Sequence, residues 1–589
     1  MQPASGISQK YNEPLLFNSR DVRYKTPFGA VNARRTVHIV FPVREDYAAK
    51  GVALFLRRND HISRYDMRFS SMCDGYSVFE LDFCAEREGT YYYRFEIYGF
   101  DDSVRYVGKG ADGKAIIGEW LPEWQLSVYQ NGYVTPDDFK GGVIYHLFCD
   151  RFFKVGEDKK PRFGVLKKWN EDVTVADPDG VFRANDFYGG NFAGIAEKLD
   201  YLSELGVTSI YLSPVFESSS NHRYDTGDYM KTDFLLGDEE EFRKLIKKAE
   251  EKGIGIILDG VFNHTGADSK YFNKFSHYDG VGAYQSKDSP YYDWYTFYEF
   301  PDEYNCWWGI TVVPTVARDA KGYRELIAGK NGVIEKWTAM GVKGWRLDVV
   351  DELAESFVKE IRKRVKESDP DAVVIGEVWE DASNKYSYGE EREYFRGEDL
   401  DGVMNYVFKE AILDFVAGED GSVFAERIME IAENYPKQAL DCCFTLIGSH
   451  DTVRAINRLA SAYGGETKRE RRDYRLSAEE YERGKKALKL ASAIQFFLPG
   501  VPSIYYGDEI GMQGFEDPIN RRPFDWDGID EELLAHYKKL GAYRREHKEK
   551  FLEQAFVFGQ GAKIIIKRKS MTFTLDRDEG RFWVEFNYD

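Results

Sequence analysis

Short apolar runs alternate with amphipathic helices from about residue 141 onward, and this alternation constrains the fold more than any other feature of the chain. Helical spacing of apolar residues, as at Phe242, Leu245 and Ala249, lies between runs that have the character of buried strands. Strand–helix alternation of this kind builds a parallel sheet, and eight units predict an α/β fold with a closed (β/α)8 barrel. The eight predicted strands are residues 143–148, 207–212, 254–258, 344–349, 373–378, 403–407, 443–447 and 502–506.

Helix boundaries are also visible in the sequence. Ile195, Leu199 and Leu205 predict a helix that ends at Gly206. Ser477 and Glu480 have the spacing of a capping box, so a long helix is expected to begin there and to stop before the eighth strand. We place the whole barrel at residues 138–547.

The two ends of the chain predict separate β domains. Residues 1–137 contain short runs of alternating apolar and polar residues, which are typical of a β-sandwich. The clearest of these runs are residues 35–42, 52–56, 77–83 and 91–98. Residues 548–589 predict a short C-terminal β domain, with strands at 563–567, 570–575 and 582–586.

One connection is too long for an ordinary loop and helix. Between Asp259 and Gly344 lie 84 residues, and residues 270–309 are crowded with aromatic side chains. We expect an inserted subdomain at about 265–330, on the face of the barrel where loops build active sites.

Composition excludes several classes of protein. The net charge of −20 would repel a phosphate backbone, so no nucleic-acid partner is expected. No run of 18 apolar residues occurs, and residues 1–20 have no apolar segment typical of a signal peptide, so we predict no membrane partner and a cytoplasmic location. A secreted form that has lost its signal peptide is the alternative.

The six cysteines have no metal-ligand spacing, and free thiols in a reducing compartment are expected. A disulfide between Cys73 and Cys84 is the alternative if the protein is secreted.

Polar and charged side chains stand at the ends of four predicted barrel strands. Each one alone has an ordinary explanation, such as a helix N-cap, a turn residue or an ion pair on one strand face. Acids gathered at one rim of a barrel repel one another, and such a cluster is typical of a site that uses it for chemistry. The residues are Asp259 after the third strand, Arg346 and Asp348 at the fourth, Glu377 at the fifth, and His450 and Asp451 after the seventh.

These strand ends resemble the four conserved regions of the α-amylase superfamily, glycoside hydrolase family 13. The segments are D-G-V-F-N-H at 259–264, G-W-R-L-D at 344–348, G-E-V-W at 376–379 and S-H-D at 449–451. Three further segments are similar to that superfamily, at 187–195, 221–229 and 517–526. The separate N-terminal β domain, N-H-R-Y-D-T at 221–226, C-W-W-G-I at 306–310 and Trp379 resemble the neopullulanase, cyclomaltodextrinase and maltogenic amylase group.

The resemblance implies a retaining hydrolase that cleaves α-1,4 glucosidic bonds, with α-1,6 bonds left open, in maltooligosaccharides, cyclodextrins, pullulan or starch. It implies three catalytic residues: Asp348 as the nucleophile, Glu377 as the general acid and base, and Asp451, which binds sugar hydroxyls and favours the distorted, oxocarbenium-like state. His264 and His450 would bind hydroxyls, Tyr224 would be a stacking platform near His222, Asp259 would hold Arg346, and the tryptophans would stack on sugar. The complete set of implied substrate-binding residues is His222, Tyr224, Asp259, Asn263, His264, Trp307, Trp308, Arg346, Trp379 and His450.

Two segments depart from the group's pattern. V-P-T-V-A at 313–317 stands where the group has M-P-K-L-N, and Val350-Asp351-Glu352 stands where it has A-N-E. Because both segments influence the choice between linkages, the linkage stays open. A transglycosylase of the same superfamily is the first alternative to a hydrolase, and a silent carbohydrate-binding protein is the second.

No cofactor is expected to be required. Calcium is the one candidate metal, and the loop at 154–161 offers only Glu157 and Asp158 for it, which is more typical of a solvated charged loop. The N-terminal domain resembles modules that either bind starch or form homodimers, and the sequence does not separate these two functions.

Overall fold

A computed structural model describes residues 13–176, 180 and 182–587 of the 589-residue chain. Its N-terminal part is two β-sheets packed face to face, and Phe41 of one sheet meets Phe95 of the other with ring centroids 4.4 Å apart. The four-stranded sheet contains, in order, Lys25–Thr26, Val37–Arg44, Tyr76–Phe83 and Arg68–Cys73. The seven-stranded sheet contains Ala115–Ile117, Val104–Lys109, Gly89–Gly99, Trp124–Tyr129 and Val31–Asn32, with Ala49–Arg58 and His61–Asp66 paired at its side.

The eight predicted barrel strands form a closed parallel barrel, which confirms the predicted fold class. The first strand pairs with the eighth through Ile144 and Ser503, so the sheet has no free edge. The barrel strands, numbered one to eight in the rest of the text, are Ile144–Leu147, Ser209–Leu212, Gly255–Gly260, Gly344–Leu347, Val373–Val378, Gly402–Asn405, Phe444–Leu446 and Val501–Tyr505.

The sixth strand ends earlier than the sequence predicts. Asn405 closes it, and the Asn405 side chain accepts a hydrogen bond from the Phe408 backbone N–H. Since this interaction caps the helix Tyr406–Ala417, Val407 is helical and not part of a strand.

Helices cover the outside of the barrel. The capping box at Ser477 is confirmed, because the Ser477 hydroxyl accepts from the Glu480 N–H and the Glu480 carboxylate accepts from the Ser477 N–H. The single helix expected before Gly206 is instead two short helices that meet at Lys198. The helices are Phe192–Glu197, Leu199–Glu204, Glu239–Glu250, Lys321–Ala328, Val333–Ala339, Glu355–Ser368, Tyr406–Ala417, Gly421–Asn434, Lys437–Leu440, Ala455–Leu459, Lys468–Asp473, Ala478–Phe497, Glu531–Glu546 and Lys548–Phe551.

The long connection after strand three folds around an aromatic cluster. The Phe272 ring lies 4.7 Å from the Tyr304 ring and 4.9 Å from the Tyr295 ring, between centroids, and all three side chains are buried. Most aromatic residues of this insertion therefore pack against one another. Its only regular sheet among the described residues is the pair Phe297–Glu299 and Glu303–Tyr304.

Four antiparallel strands form the C-terminal sheet, one more than the sequence predicts. They are Phe556–Gln560, Lys563–Lys567, Met571–Asp576 and Arg581–Phe586. Phe573 stacks on Phe497 of the long helix at 4.3 Å between ring centroids, which joins this sheet to the barrel. Short strand pairs elsewhere are Val165–Leu166 with Asp186–Phe187, Phe216–Ser218 with Thr226–Thr232, and Tyr386–Ser387 with Glu390–Glu391.

All six cysteines lie in the described part of the chain and carry free thiols. Cys73 donates to Asp74 and Cys84 donates to Glu86, so the alternative disulfide between them is not formed. Among the described helices, none combines the length and the apolar character that crossing a lipid bilayer requires.

Candidate active site

Arg346 is the centre of a buried charge cluster at the carboxyl ends of the barrel strands. Its guanidinium contacts three carboxylates: Nη1 donates to Asp259 at 2.8 Å and to Asp348 at 2.7 Å, and Nη2 lies 2.9 Å from Glu377. Arg346 is fully buried, and the three acids are at most 7% exposed. One cation therefore links the functional ends of strands three, four and five.

The backbone after strand four holds Glu377 from the other side. Val349 has φ 38°, a left-handed conformation that is costly for a β-branched residue. In this conformation its N–H donates to Glu377 Oε2 at 2.8 Å, while Trp379 Nε1 donates to Oε1 at 3.0 Å. Both oxygens of Glu377 are thus fixed by strained or stacked neighbours, as is common where a site must be pre-organised.

Burial changes the acidity of the carboxyl groups in the cluster. Loss of water raises the pKa of Asp348 well above its ordinary value, Arg346 opposes this shift, and the Glu377 and Asp259 carboxylates add to it. Burial likewise raises the pKa of Asp259, against the effect of Arg346. Asp259 also accepts hydrogen bonds from Tyr211 at 2.6 Å and Tyr224 at 2.9 Å.

Tyr224, His450 and Asp451 form a second chain of contacts beside the first. A 2.6 Å hydrogen bond joins the Tyr224 hydroxyl to His450 Nε2, and the two rings stack at 8°. His450 Nε2 also lies 3.1 Å from Asp451, and Arg521 donates to Asp451 at 3.3 Å. The Asp451 side chain keeps 32% exposure, and desolvation in the cleft together with the Glu377 carboxylate raises its pKa to about 7.

His222 adjoins this chain of contacts. Its Nδ1 accepts a 3.0 Å hydrogen bond from the Tyr224 backbone N–H. The sequence did not predict that Tyr224 contacts Asp259. This hydrogen bond adds to the contact between Asp259 and Arg346.

Three tryptophans stand at the mouth of the cleft. Trp379 is 45% exposed and lies flat on Tyr406, with 3.9 Å between ring centroids. Trp307 and Trp308 stack on each other, and Trp308 is 78% exposed. These open indole faces suit the apolar C–H face of a pyranose ring.

Glu352 organises the other side of the cleft. Its Oε1 accepts from Trp307 Nε1 at 3.1 Å and from Trp308 Nε1 at 3.0 Å, and its Oε2 accepts from Asn263 Nδ2 at 3.2 Å. His264 follows Asn263 and packs its ring 5.5 Å from that of Trp307. Every residue that the sequence nominated for the site therefore belongs to one of these connected groups of contacts.

The segment 313–317, which departs from the group's pattern, fixes the same loop. The Val316 N–H donates to the Asn263 carbonyl at 3.0 Å, and Thr315 forms a β-bridge with His264. This segment therefore contributes backbone support where the pattern would place Lys and Asn side chains.

Four residues of the site were missed at the level of sequence: Tyr211, Glu352, Tyr406 and Arg521. Tyr406 comes directly after strand six, and Arg521 lies within the recognised segment 517–526, so position in the barrel was a usable signal for both. Tyr211 lies inside a strand, and nothing in its local sequence distinguishes it from a core residue.

Acidification is expected to destabilise this site through its buried histidines. Burial lowers the pKa of His264 to about 4, so the folded state holds it neutral while the unfolded chain protonates it near pH 6.5. The stabilisation is complete above pH 6.5 and is lost as the pH falls toward 4. Between pH 7 and pH 5 we expect His264 to account for a loss of about 2 kcal/mol in unfolding free energy.

Urea unfolding of the wild type and of His264→Asn at both pH values measures this loss. The variant is expected to show a smaller difference between the two pH values, whatever its stability at pH 7. His61→Asn, at an exposed position of the N-terminal sheet, is the matched control. An equal pH effect in the wild type and in His264→Asn would contradict the assignment.

The fold and the site place this protein in the class of (β/α)8-barrel proteins that have a buried carboxylate cluster, linked by an arginine, at the carboxyl ends of their strands. The family model described as "Alpha amylase, catalytic domain" matches residues 146–555. The chain belongs to the alpha-amylase family.

The chain is similar to several named proteins. An amylopullulanase of Thermoanaerobacterium saccharolyticum is 32% identical over 94% of this chain and 47% of its own length. The neopullulanase 2 of Thermoactinomyces vulgaris is 35% identical over 74% of this chain and 70% of its own length. The chain spans about half the length, or less, of the amylopullulanases that it matches.

A solved structure with the same fold is the cyclic α-maltosyl-(1→6)-maltose hydrolase of Arthrobacter globiformis. It is 27% identical, has a TM-score of 0.64, and the match covers 75% of this chain and 92% of that chain.

Proposed function

We propose that this protein is a retaining α-glucan hydrolase that cleaves α-1,4 glucosidic bonds by double displacement. The observation that carries the proposal is the contact of one guanidinium, Arg346, with both Asp348 and Glu377. Retaining glycosidases need two carboxyl groups about 5–5.5 Å apart, one as nucleophile and one as acid. A single buried arginine that touches both groups supports a spacing of that order.

In the first step Asp348 attacks the anomeric carbon and the glycosidic C–O bond breaks. Glu377 gives its proton to the departing oxygen, and a glucosyl ester forms on Asp348. In the second step Glu377 takes a proton from water, the water oxygen bonds to the anomeric carbon, and Asp348 leaves as a carboxylate. Two inversions restore the α configuration.

Asp451, His264 and His450 are proposed to bind hydroxyl groups of the sugar at the reacting position. Asp451 contacts His450 and Arg521, and its carboxylate stays partly exposed to the cleft. Contacts that tighten as the ring flattens lower the barrier more than contacts that bind the ground state equally well.

Maltooligosaccharides, cyclodextrins, pullulan and starch are the proposed substrates, with the α-1,6 bond as a second target. Support comes from relatives named cyclomaltodextrinase, neopullulanase and amylopullulanase, each at 32–35% identity. The exposed Trp308 and Trp379 offer flat surfaces on which glucose units on either side of the cleaved bond can stack.

Transglycosylation is the second candidate function. The open ring of Trp308, hydrogen-bonded to Glu352, supports it because a sugar stacked there can compete with water for the glucosyl ester. A silent binding protein is disfavoured, since Asp348, Glu377 and Asp451 are all in place.

Product analysis tests the proposal directly. Purified protein is incubated with β-cyclodextrin, pullulan, starch and maltotriose in parallel, and products are separated by chromatography. We expect reducing oligosaccharides from at least one substrate, and products longer than maltotriose from maltotriose if transfer competes. No reducing sugar from any of the four would overturn the assignment as a hydrolase.

The proposed chemistry uses carboxyl groups alone and requires no cofactor. For the loop at 154–161, Asp158 is ion-paired with Lys154 at 2.6 Å, and Glu157 is exposed. Among the described residues, Glu157 and Asp158 belong to no group of three side chains that could hold a metal ion, so no step is assigned to calcium there.

For the N-terminal domain we propose either homodimer formation or glucan binding. Phe69 and Met72 are half exposed on the outer strand of the smaller sheet, which supports contact between copies. Trp120 is almost fully exposed, which supports sugar stacking. Light scattering of Met72→Glu and starch binding by Trp120→Ala separate the two.

A cytoplasmic location is proposed on the free thiols, including exposed Cys73.

A further inference from the structure

Three acidic side chains meet on the loops beside the active site, outside the groups described above. Glu355, Glu393 and Asp399 each direct one carboxylate oxygen into a common space, and these oxygens all lie within 4.8 Å of one another. Glu355 begins the helix that follows strand four, while Glu393 and Asp399 lie in the loop that follows strand five. We name these three residues the acidic triad.

Asp399 is the unusual member of the acidic triad. It is completely buried, no nitrogen or hydroxyl group of the described residues donates to either of its oxygens, and it lies within hydrogen-bonding reach of the Glu355 carboxyl group. The Oε2 atom of Glu355 is also buried and without a donor. Burying a carboxylate without a partner is costly, so this group needs a proton or a cation that the surrounding side chains do not supply.

Nearby cations contact Glu393 and Glu355, and among the described residues none of them donates a hydrogen bond to Asp399. Lys359 contacts Glu393 at 2.6 Å, and Arg396 also pairs with Glu393. Arg392 donates to the Leu353 carbonyl at 2.9 Å and stays 3.7 Å from Glu355.

We propose that Glu355, Glu393 and Asp399 bind a divalent cation, Ca²⁺, that ties the loop after strand four to the loop after strand five. An all-oxygen carboxylate set suits a hard cation. Ca²⁺ bonds oxygen at about 2.4 Å, so three carboxylate oxygens within 4.8 Å of one another are close enough to bind one ion. Mg²⁺ is usually bound through one or two carboxylates and several waters, so a set of three carboxylates favours Ca²⁺.

The position of the site gives the ion a structural role. Strand four leads to Asp348 and strand five carries Glu377, so the two loops that the ion joins follow the two proposed catalytic acids. Partial exposure of Glu355 and Glu393, at 17% and 32%, leaves a path from solvent. Binding is therefore expected to stabilise the folded barrel.

Calorimetry on the full chain tests the proposal. Protein treated with a chelator and then desalted is scanned with and without 1 mM CaCl₂, as wild type, Asp399→Asn and Glu398→Gln. Glu398 is the exposed neighbour on the same loop and serves as the matched control. We expect Ca²⁺ to raise the Tm of wild type and Glu398→Gln by roughly 3 °C or more, and that of Asp399→Asn by less than about 1 °C.

A rise in Tm of equal size in Asp399→Asn would place the ion elsewhere and overturn the proposal. No rise in the wild type would show that a shared proton, not a metal, satisfies Asp399 and Glu355. If Asp399→Asn fails to fold, Glu355→Gln takes its place. Titration calorimetry of Ca²⁺ into the chelator-treated wild type should show about one site, and absence of binding heat would exclude the metal.

Discussion

Asp348→Asn is expected to lower turnover of maltotetraose by roughly 10⁴-fold, which corresponds to about 5.5 kcal/mol of transition-state stabilisation. The amide is neutral and a poor nucleophile, so no glucosyl ester forms. It also breaks the charge balance around Arg346, whose Nη1 contacts the Asp348 carboxylate at 2.7 Å. Initial rates of reducing-sugar release measure the effect, with circular dichroism to establish that the variant is folded.

Two further measurements make this prediction specific to a nucleophile. Asp371→Asn, at an exposed position after the neighbouring helix, is the matched control and should keep nearly full activity. Asp348→Ala with α-maltosyl fluoride and sodium azide should release β-maltosyl azide, because azide attacks from the face that Asp348 has vacated. An α-configured azide from Asp348→Ala would contradict the role assigned to Asp348.

Glu377→Gln is expected to lower turnover of maltotetraose by roughly 10³-fold or more, since the sugar leaving group then departs without a proton. Glutamine has a single carbonyl oxygen, so it keeps one of the two hydrogen bonds, from the Val349 N–H or from the Trp379 indole, and turns its NH₂ group toward the other donor. Loss of the transferable proton remains the main cause of the lower rate. Steady-state rates on maltotetraose give the size of the loss.

Substrates that differ in leaving group separate proton transfer from binding. Fluoride leaves without protonation, so Glu377→Gln should release one equivalent of fluoride from α-maltosyl fluoride in a fast burst. Slow turnover should follow, because no base activates water in the second step. Glu380→Gln, an exposed acid three residues on, is the control and should behave as wild type. Near-normal turnover of maltotetraose by Glu377→Gln would contradict the assignment of Glu377 as the general acid and base.

Short-range sequence patterns were sufficient to predict the barrel, because each of these patterns involves residues that are close together in the chain. Apolar runs with β-branched residues, helical spacing and the capping box at Ser477 each act over fewer than 20 residues, and each reappears in the structure. Errors fell at boundaries, as at Val407, where a side-chain cap at Asn405 decided between strand and helix. Such a cap depends on one hydrogen bond that periodicity does not contain.

Strand ends were also sufficient to nominate the acids. Parallel strands in a barrel bring their carboxyl ends to one face, so Asp259, Asp348 and Glu377 had to converge once the barrel was predicted. The sequence did not predict which of these side chains contact one another, or which further residues they contact. Glu352 was noted only as a departure from a pattern, yet it accepts hydrogen bonds from Trp307, Trp308 and Asn263.

The sequence by itself determined the eight-stranded barrel, the flanking β regions and the identity of the acids at the strand ends, because periodicity and strand order are properties of neighbouring residues. Tertiary structure alone decided that Arg346 contacts three carboxylates, that Tyr224 links Asp259 to His450, and that Asp399 is buried without a donor. These contacts join side chains from separate strands and loops. Their distances and their exposure to water are therefore fixed only when the closed barrel packs those segments together.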